Sequence, residues 1–314
     1  MSRKLWVISG TLAVAASLAL AADSPQAAAK LTAAEIADKN VAARGGLEAW
    51  RAVKTLSMSG KMGAGGNQRS VLSTPMPARG SKLGGRGPAN SSVPSVSSVA
   101  EKTRPVEEVQ LPFLMELARS RKSRLEIQFK GQTAIQVYDG VNGWKVRPFL
   151  NRREVESYTP DEMKSASKQT DLDGPLVDYA AKGTKIELAG TEKVEDRDTY
   201  KLKMTMKNGQ ALNVWIDAQT FLETKIEGQP RRLDGTDHPV EVYFRDYRPV
   251  SGLQIPFVLE TKVLPVAKTA AGFRDPPVPV EKTLIEKVVV NPKLDDSLFT
   301  KPDLAAAPAA PPAK

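Results

Sequence analysis

One histidine and no cysteine bound the chemistry open to this 314-residue chain. Thiol nucleophiles, thiol redox chemistry and cysteine metal sites are excluded. The histidine sits in Gly235-Thr236-Asp237-His238-Pro239. An acid beside a histidine invites a catalytic triad. A triad needs its carboxylate to reach the far imidazole nitrogen through space, which adjacency does not supply, and no nucleophile elbow is present. Asp171-Leu172-Asp173-Gly174 resembles the start of a calcium loop, but Pro175 and Leu176 stand where further ligands belong. A turn followed by a helix start is the plainer reading. The carboxylate of Tyr138-Asp139-Gly140 has the same standing, since Asp-Gly at a hairpin usually serves backbone geometry. Trp215 falls on the polar side of its segment, as a contact surface or as a cross-strand packing partner. No phosphate loop and no metal-spaced cluster is seen. The expectation is a protein that is not an enzyme and holds no cofactor or metal.

The elements that must position a binding site begin with an export signal. Arg3 and Lys4 precede an uncharged run from Leu5 to Leu20, and Ala19-Leu20-Ala21 has the small-x-small pattern of a cleavage site. Residues 1–21 are expected to be a cleaved signal peptide, which places the protein in the periplasm. An uncleaved anchor is the competing reading. A spanning helix needs about 20 strongly apolar residues, and this stretch is short, rich in Ala and broken by Gly10. Loss of Arg3 and Lys4 takes 45 basic residues to 43 against 36 acidic, and the net charge from +9 to +7. Basic and acidic residues are interspersed, so no nucleic-acid footprint is visible.

Apolar spacing predicts two short helices between Leu31 and Val53, or one that kinks at Gly45-Gly46. A strand is expected over Lys54–Lys61. Residues 63–103 are dense in Gly, Ser, Pro and Arg and read as a flexible insertion. Leu111–Ala118 is expected to make a short helical turn. Alternating strands then follow: Arg124–Lys130 with Leu125, Ile127 and Phe129 on one side, Ile135 and Val137 after Gly131, and Trp144 and Val146 after Asn142-Gly143. Thr159 caps a helix opening with Pro160, and another short helix is expected over Leu176–Ala181. The clearest hairpin pairs Leu202 and Met204 with Val214 and Ile216 across Asn208-Gly209. Strands are further expected over Phe221–Glu227, Val240–Tyr247, Gln254–Val263 and Leu284–Val290. Residues 303–314 read as a disordered Ala/Pro-rich tail.

Clean alternation marks antiparallel strands with one wet face and one apolar face. Roughly nine to eleven such strands twist and curl. The expected fold is α+β, a curved antiparallel sheet whose apolar concave face is covered by a few helices. Either large side chains fill that concavity, or room remains for a ligand with hydrocarbon chains.

Several signatures occur in a fixed order. They are Ala43-Arg44-Gly45-Gly46 with Trp50; Tyr138-Asp139-Gly140 with Gly143-Trp144; Asp173-Gly174-Pro175-Leu176; Trp215-Ile216-Asp217 with Thr220-Phe221-Leu222; Asp246-Tyr247-Arg248 with Ile255-Pro256-Phe257; and Val290-Asn291 with Phe299. Together they resemble the outer-membrane lipoprotein-sorting family, the LolA-like half-barrels, from about Leu31 to Pro302 outside the insertion. The resemblance implies one half-barrel domain over residues 22–302 with helices as a lid. It implies acyl chains of lipids or lipoproteins as partners, membrane-bound donor and acceptor proteins, and a monomer. Leu125, Ile127, Ile135, Val137, Leu202, Met204, Val214 and Ile216 are then expected to line the concave wall. Carriers of this type hold the lid with an arginine on an early strand, and Arg121 and Arg124 stand in the corresponding region, where a plain surface arginine is the competing reading. The alternative function is an envelope binding or sensor module on the same fold that transports nothing.

Overall fold

The computed structural model describes residues 31–64, 109–168, 171–233, 235–266 and 278–303. The signal segment 1–21, nearly all of the 63–103 insertion and the tail beyond Asp303 lie outside them. Two helices open the described chain, α1 (Ala33–Ala43) and α2 (Leu47–Ala52). Thr32 caps α1 in a reciprocal box with Glu35, satisfying two donors of the first turn. Gly45 and Gly46 then break the helix at φ +115° and +94°. A Cβ on Gly45 would lie 2.4 Å from the carbonyl oxygen of Gly252, so glycine lets the helix corner touch the sheet.

The strands follow as β1 (Thr55–Ala64), β2 (Val109–Ala118), β3 (Lys122–Phe129), β4 (Gln132–Tyr138), β5 (Gly143–Arg147) and β6 (Arg152–Ser157). The helix α3 (Pro160–Ser167) comes next, capped by Thr159 as its sequence predicts. Then come β7 (Lys185–Val194), β8 (Arg197–Thr205), β9 (Ala211–Asp217), β10 (Glu223–Glu227), β11 (Arg231–Leu233), β12 (Thr236–His238), β13 (Val240–Val250), β14 (Leu253–Val263) and β15 (Glu281–Val290). Among the described residues, thirteen of these form one open antiparallel sheet in the order β6-β5-β4-β3-β2-β1-β15-β14-β13-β10-β9-β8-β7, and β11 and β12 pair separately.

The fold class is the α+β, open antiparallel kind expected, but with more strands than nine to eleven. Leu111–Ala118 is strand rather than helical turn. Leu111, Phe113, Met115 and Leu117 alternate, and apolar Pro112 and Leu114 between them hid the period of two. Pairing with both β1 and β3 decides the matter. β1 runs through Gly63 to Ala64, two residues into the segment read as insertion. Leu176–Ala181 forms turns rather than a helix, with Asp178 at φ +51° and Leu176 and Val177 fully buried. β6 and β7, the two sheet edges, carry too few apolar residues to show a pattern.

Val41 of α1 and Trp50 of α2 share a core with Leu56, Phe113, Leu253, Ile255, Phe257 and Ile285 of the sheet. That core marks one side of the sheet, called here the inner face.

Candidate functional site

Directly opposed residues of antiparallel neighbours point to the same side. Leu56 faces Leu117, Met58 faces Met115, Met115 faces Leu125 and Phe113 faces Ile127, so Leu125 and Ile127 belong to the inner face. At the other end Leu202 faces Val214, Val214 faces Ile226, Ile226 faces Val242, and Val242 faces Thr261, two residues from the core-packed Leu259. Leu202, Met204, Val214 and Ile216 therefore share the inner face.

Ile135 and Val137 do not. Their cross-strand partners are Glu126 and Arg124, while Leu125 and Ile127 face Gln136 and Ala134. They point to the outer face, in a separate cluster with Val146, Trp144 and Val155. The short 3-10 turn Asp296–Phe299 packs against β3 and β4 there. The cause is register. The two-residue turn Lys130-Gly131, both at positive φ, pairs Phe129 with Gln132 and sets every later residue of β4.

The six residues that share the inner face fall into two states. Leu202, Met204, Val214 and Ile216 are fully buried. Leu125 and Ile127 are half-buried, and so are Met58, Met62, Met115 and Leu259 on the same face. The inner face is thus sealed at β8–β9 and holds a partly open apolar strip across β1–β3 and β14.

Beside this strip the segment 171–183 is held down by arginines. Asp173, 2 % exposed, takes an ion pair from Arg119 and a second from Lys182 at 2.6 Å. Arg119 also donates to the carbonyls of Val53 and Trp50. Arg44, at the end of α1, donates to the Asp173 carbonyl at 2.9 Å, lies over the Trp50 ring at 4.3 Å and pairs with Glu223 at 3.3 Å. Tyr247 donates to the same glutamate, and burial followed by the Glu223 charge pushes its phenol well above the ordinary value. Arg51 grips Asp178 with two bonds of 2.7 and 3.0 Å, which hold that carboxyl below its usual range.

Of the two arginines expected to hold a lid, Arg121 donates to the Ser167 carbonyl at the end of α3 at 2.7 Å. Arg124 is on the outer face, paired with Glu126 and donating to the Leu298 carbonyl. The register that turns Val137 outward turns Arg124 outward with it. Sequence reasoning missed Arg119, two positions before Arg121. Arg44 and Asp173 both belong to the ordered motifs, but their contact spans 129 positions and had no local sign.

The remaining candidates have structural partners. Nδ1 of His238, which is 4 % exposed, lies 3.1 Å from the Leu264 carbonyl, while Asp237 is exposed and 3.9 Å from Arg232. Asp139 accepts from the Val141 and Asn142 backbones in its turn. Trp215 is buried between Lys201 and Lys225, whose ammonium groups lie 4.9 and 3.9 Å from the ring centroid. Among the described residues no group of three or more His, Asp or Glu is placed to hold a metal ion, and no helix is long and apolar enough to cross a membrane.

No family model matches the sequence, and no curated protein matches it. Solved structures similar to this chain include a LolA superfamily protein from Nitrosomonas europaea, with 13 % identity over 86 % of this chain and 98 % of that one, at a TM-score of 0.48. A domain from Vibrio parahaemolyticus described as an outer membrane lipoprotein-sorting protein is similar at 13 % identity, covering 86 % and 96 %, at 0.48. A DUF1329 family protein from Desulfovibrio piger is similar at 12 % identity, covering 84 % and 95 %, at 0.47. The first two are described in terms of the family that the ordered motifs resemble.

Proposed function

We propose that this chain is a non-catalytic periplasmic carrier that shelters acyl chains of lipids or lipoproteins on its inner face. The observation that carries the reading is the half-buried strip of Met58, Met62, Met115, Leu125, Ile127 and Leu259 beside a fully packed core. Each methylene buried there is worth about 0.8 kcal/mol, so a fatty chain would gain several kcal/mol by lying on it. Methionines suit such a wall, since their unbranched side chains adapt to differing guests. On this reading α1, α2 and the 171–183 segment form the cover of a concave sheet. Arg44, Arg119 and Arg51 hold it down, and an opening cover admits and releases the chain. The signal peptide expected over residues 1–21 agrees with that compartment.

The test is native mass spectrometry of protein purified from periplasm, together with titration of a fluorescent fatty acid. Copurified acyl species are expected, and Ile127→Asp should weaken probe binding by about tenfold with the fold intact by circular dichroism. An empty protein that ignores the probe would end the carrier reading. The completely buried Leu202, Met204, Val214 and Ile216 favour a second one, a binding or sensor module without transport. That module would bind a protein partner equally well in the Ile127→Asp variant.

A further inference from the structure

Antiparallel order sends the ends of β1, β3 and β5 and the starts of β2, β4, β6 and β15 to one rim of the sheet. The α2–β1 junction, Arg119 and the Asp139–Asn142 turn are at the opposite rim. Among the described residues the first rim carries exposed apolar side chains. Leu150 is 42 % exposed, Val109 47 % and Val280 38 %. Leu150 lies in the turn between β5 and β6, Val109 opens β2 and Val280 directly precedes β15, with Phe129 at the end of β3 between the first two.

The corner at β3–β6 is built to present its residues. Pro148 opens a 3-10 turn and Asn151 closes it in the left-handed region at φ +58°, with its N–H bonded to the Pro148 carbonyl. Phe149 meets Phe129 edge to face, with centroids 6.1 Å apart, and Lys130 lies 5.2 Å over the Phe129 ring. Leu150 is left projecting. Cations stand near it along the chain: Arg152 and Arg153 just after it, and Lys130 in the turn after β3 whose Phe129 meets Phe149. Glu156 is shared by the buried Arg147 and, at 3.5 Å, by Arg152, so the tip carries Lys130, Arg152 and Arg153 with the acids Glu154 and Glu156. Aromatic and aliphatic tips ringed by Lys and Arg are the chemistry that settles into an anionic lipid surface, where the apolar groups enter the headgroup boundary and the cations meet phosphate.

We propose that this rim is a membrane-docking edge for anionic bilayers. The proposal deepens the acyl-carrier reading and rests on it. Met62 and Ile127 run to the same rim, so docking there brings the open end of the apolar strip to the lipid surface. A chain can then pass along the strip without crossing water.

The experiment is flotation of the mature full-length protein with protein-free vesicles of phosphatidylethanolamine and phosphatidylglycerol, and with phosphatidylcholine alone. The variants are Leu150→Asp, Lys130→Glu with Arg153→Glu, and Val141→Asp. Val141 is the control, being 72 % exposed but on the opposite rim. Binding is expected to anionic vesicles only and to weaken with salt. Leu150→Asp should reduce it by about tenfold, and the charge pair by about fivefold per cation reversed or more. Val141→Asp should leave it unchanged. The proposal is overturned if wild-type protein ignores anionic vesicles, binds neutral ones equally, or loses as much binding through Val141→Asp as through Leu150→Asp. Fatty-acid probe binding in vesicle-free solution, measured on the same proteins, separates the two ideas. A wild-type protein that floats but takes no probe retains its docking edge and is no acyl carrier. One that takes the probe but does not float is a carrier without this edge.

Discussion

The two ends of the inner face are made of similar residues and do different things. At β8–β9, Leu202, Met204, Val214 and Ile216 are closed off entirely. Across β1–β3, Met58, Met115, Leu125 and Ile127 keep part of their surface. The difference teaches that side-chain type does not decide which part of an apolar face is sealed and which stays partly open. What decides is the amount of chain laid over it. Packing that is complete has more stability to lose to truncation than packing that is incomplete.

The sharpest way to break this comparison is truncation at both ends. Leu202→Ala should cost about 2–5 kcal/mol in urea unfolding, because a sealed site leaves a cavity. Leu125→Ala should cost about 1 kcal/mol, since part of its surface is already wet. Equal losses would mean the strip is ordinary core. Next in size is the 171–183 segment. Asp173→Ala leaves Arg119 and Lys182 without their shared acid. About 2 kcal/mol is expected, less than for a fully buried pair because both cations are partly exposed. Protease cutting should rise within 171–183, and the β8–β9 core should stay protected.

The smallest effect is acid sensitivity. Asp178 is held below its ordinary value by the Arg51 hydrogen bonds. Burial pushes Glu162 up, but hydrogen bonds from Lys145 and from the Thr159 backbone outweigh it and leave this carboxyl lowered as well. A lowered carboxyl binds fewer protons folded than unfolded, so its contribution is present above the ordinary carboxylate range. It is lost as pH falls through the lowered value. The 171–183 segment and α3 should therefore loosen below about pH 4, ahead of the sheet, in hydrogen exchange corrected for intrinsic rate. Loosening at the same pH as β8–β9 would show that the 171–183 segment and α3 have no independent equilibrium.

Much of the fold was legible, and for local reasons. The Thr159 cap, the Gly45-Gly46 break and the Asn208-Gly209 hairpin each rest on contacts a few residues long. β2 was misread because Pro112 and Leu114 filled its outer face with apolar atoms. The 176–181 helix was misread because the burial of Leu176 and Val177, which packs a chain of turns, looks the same in sequence as a helical stripe. The site was half legible. Arg121 does meet the end of α3, but the stronger hold by Arg119 and Arg44 on Asp173 joins parts of the chain that share no local pattern.

The sequence by itself determined the antiparallel class, the helix caps and which residues of one strand lie together, because a pleat repeats every two residues and a cap every few. It does not say which of two faces a strand turns to the helices. That choice put Leu125 and Ile127 inside and Ile135, Val137 and Arg124 outside. It was made by the register across Lys130-Gly131, and register follows from the pairing of whole strands.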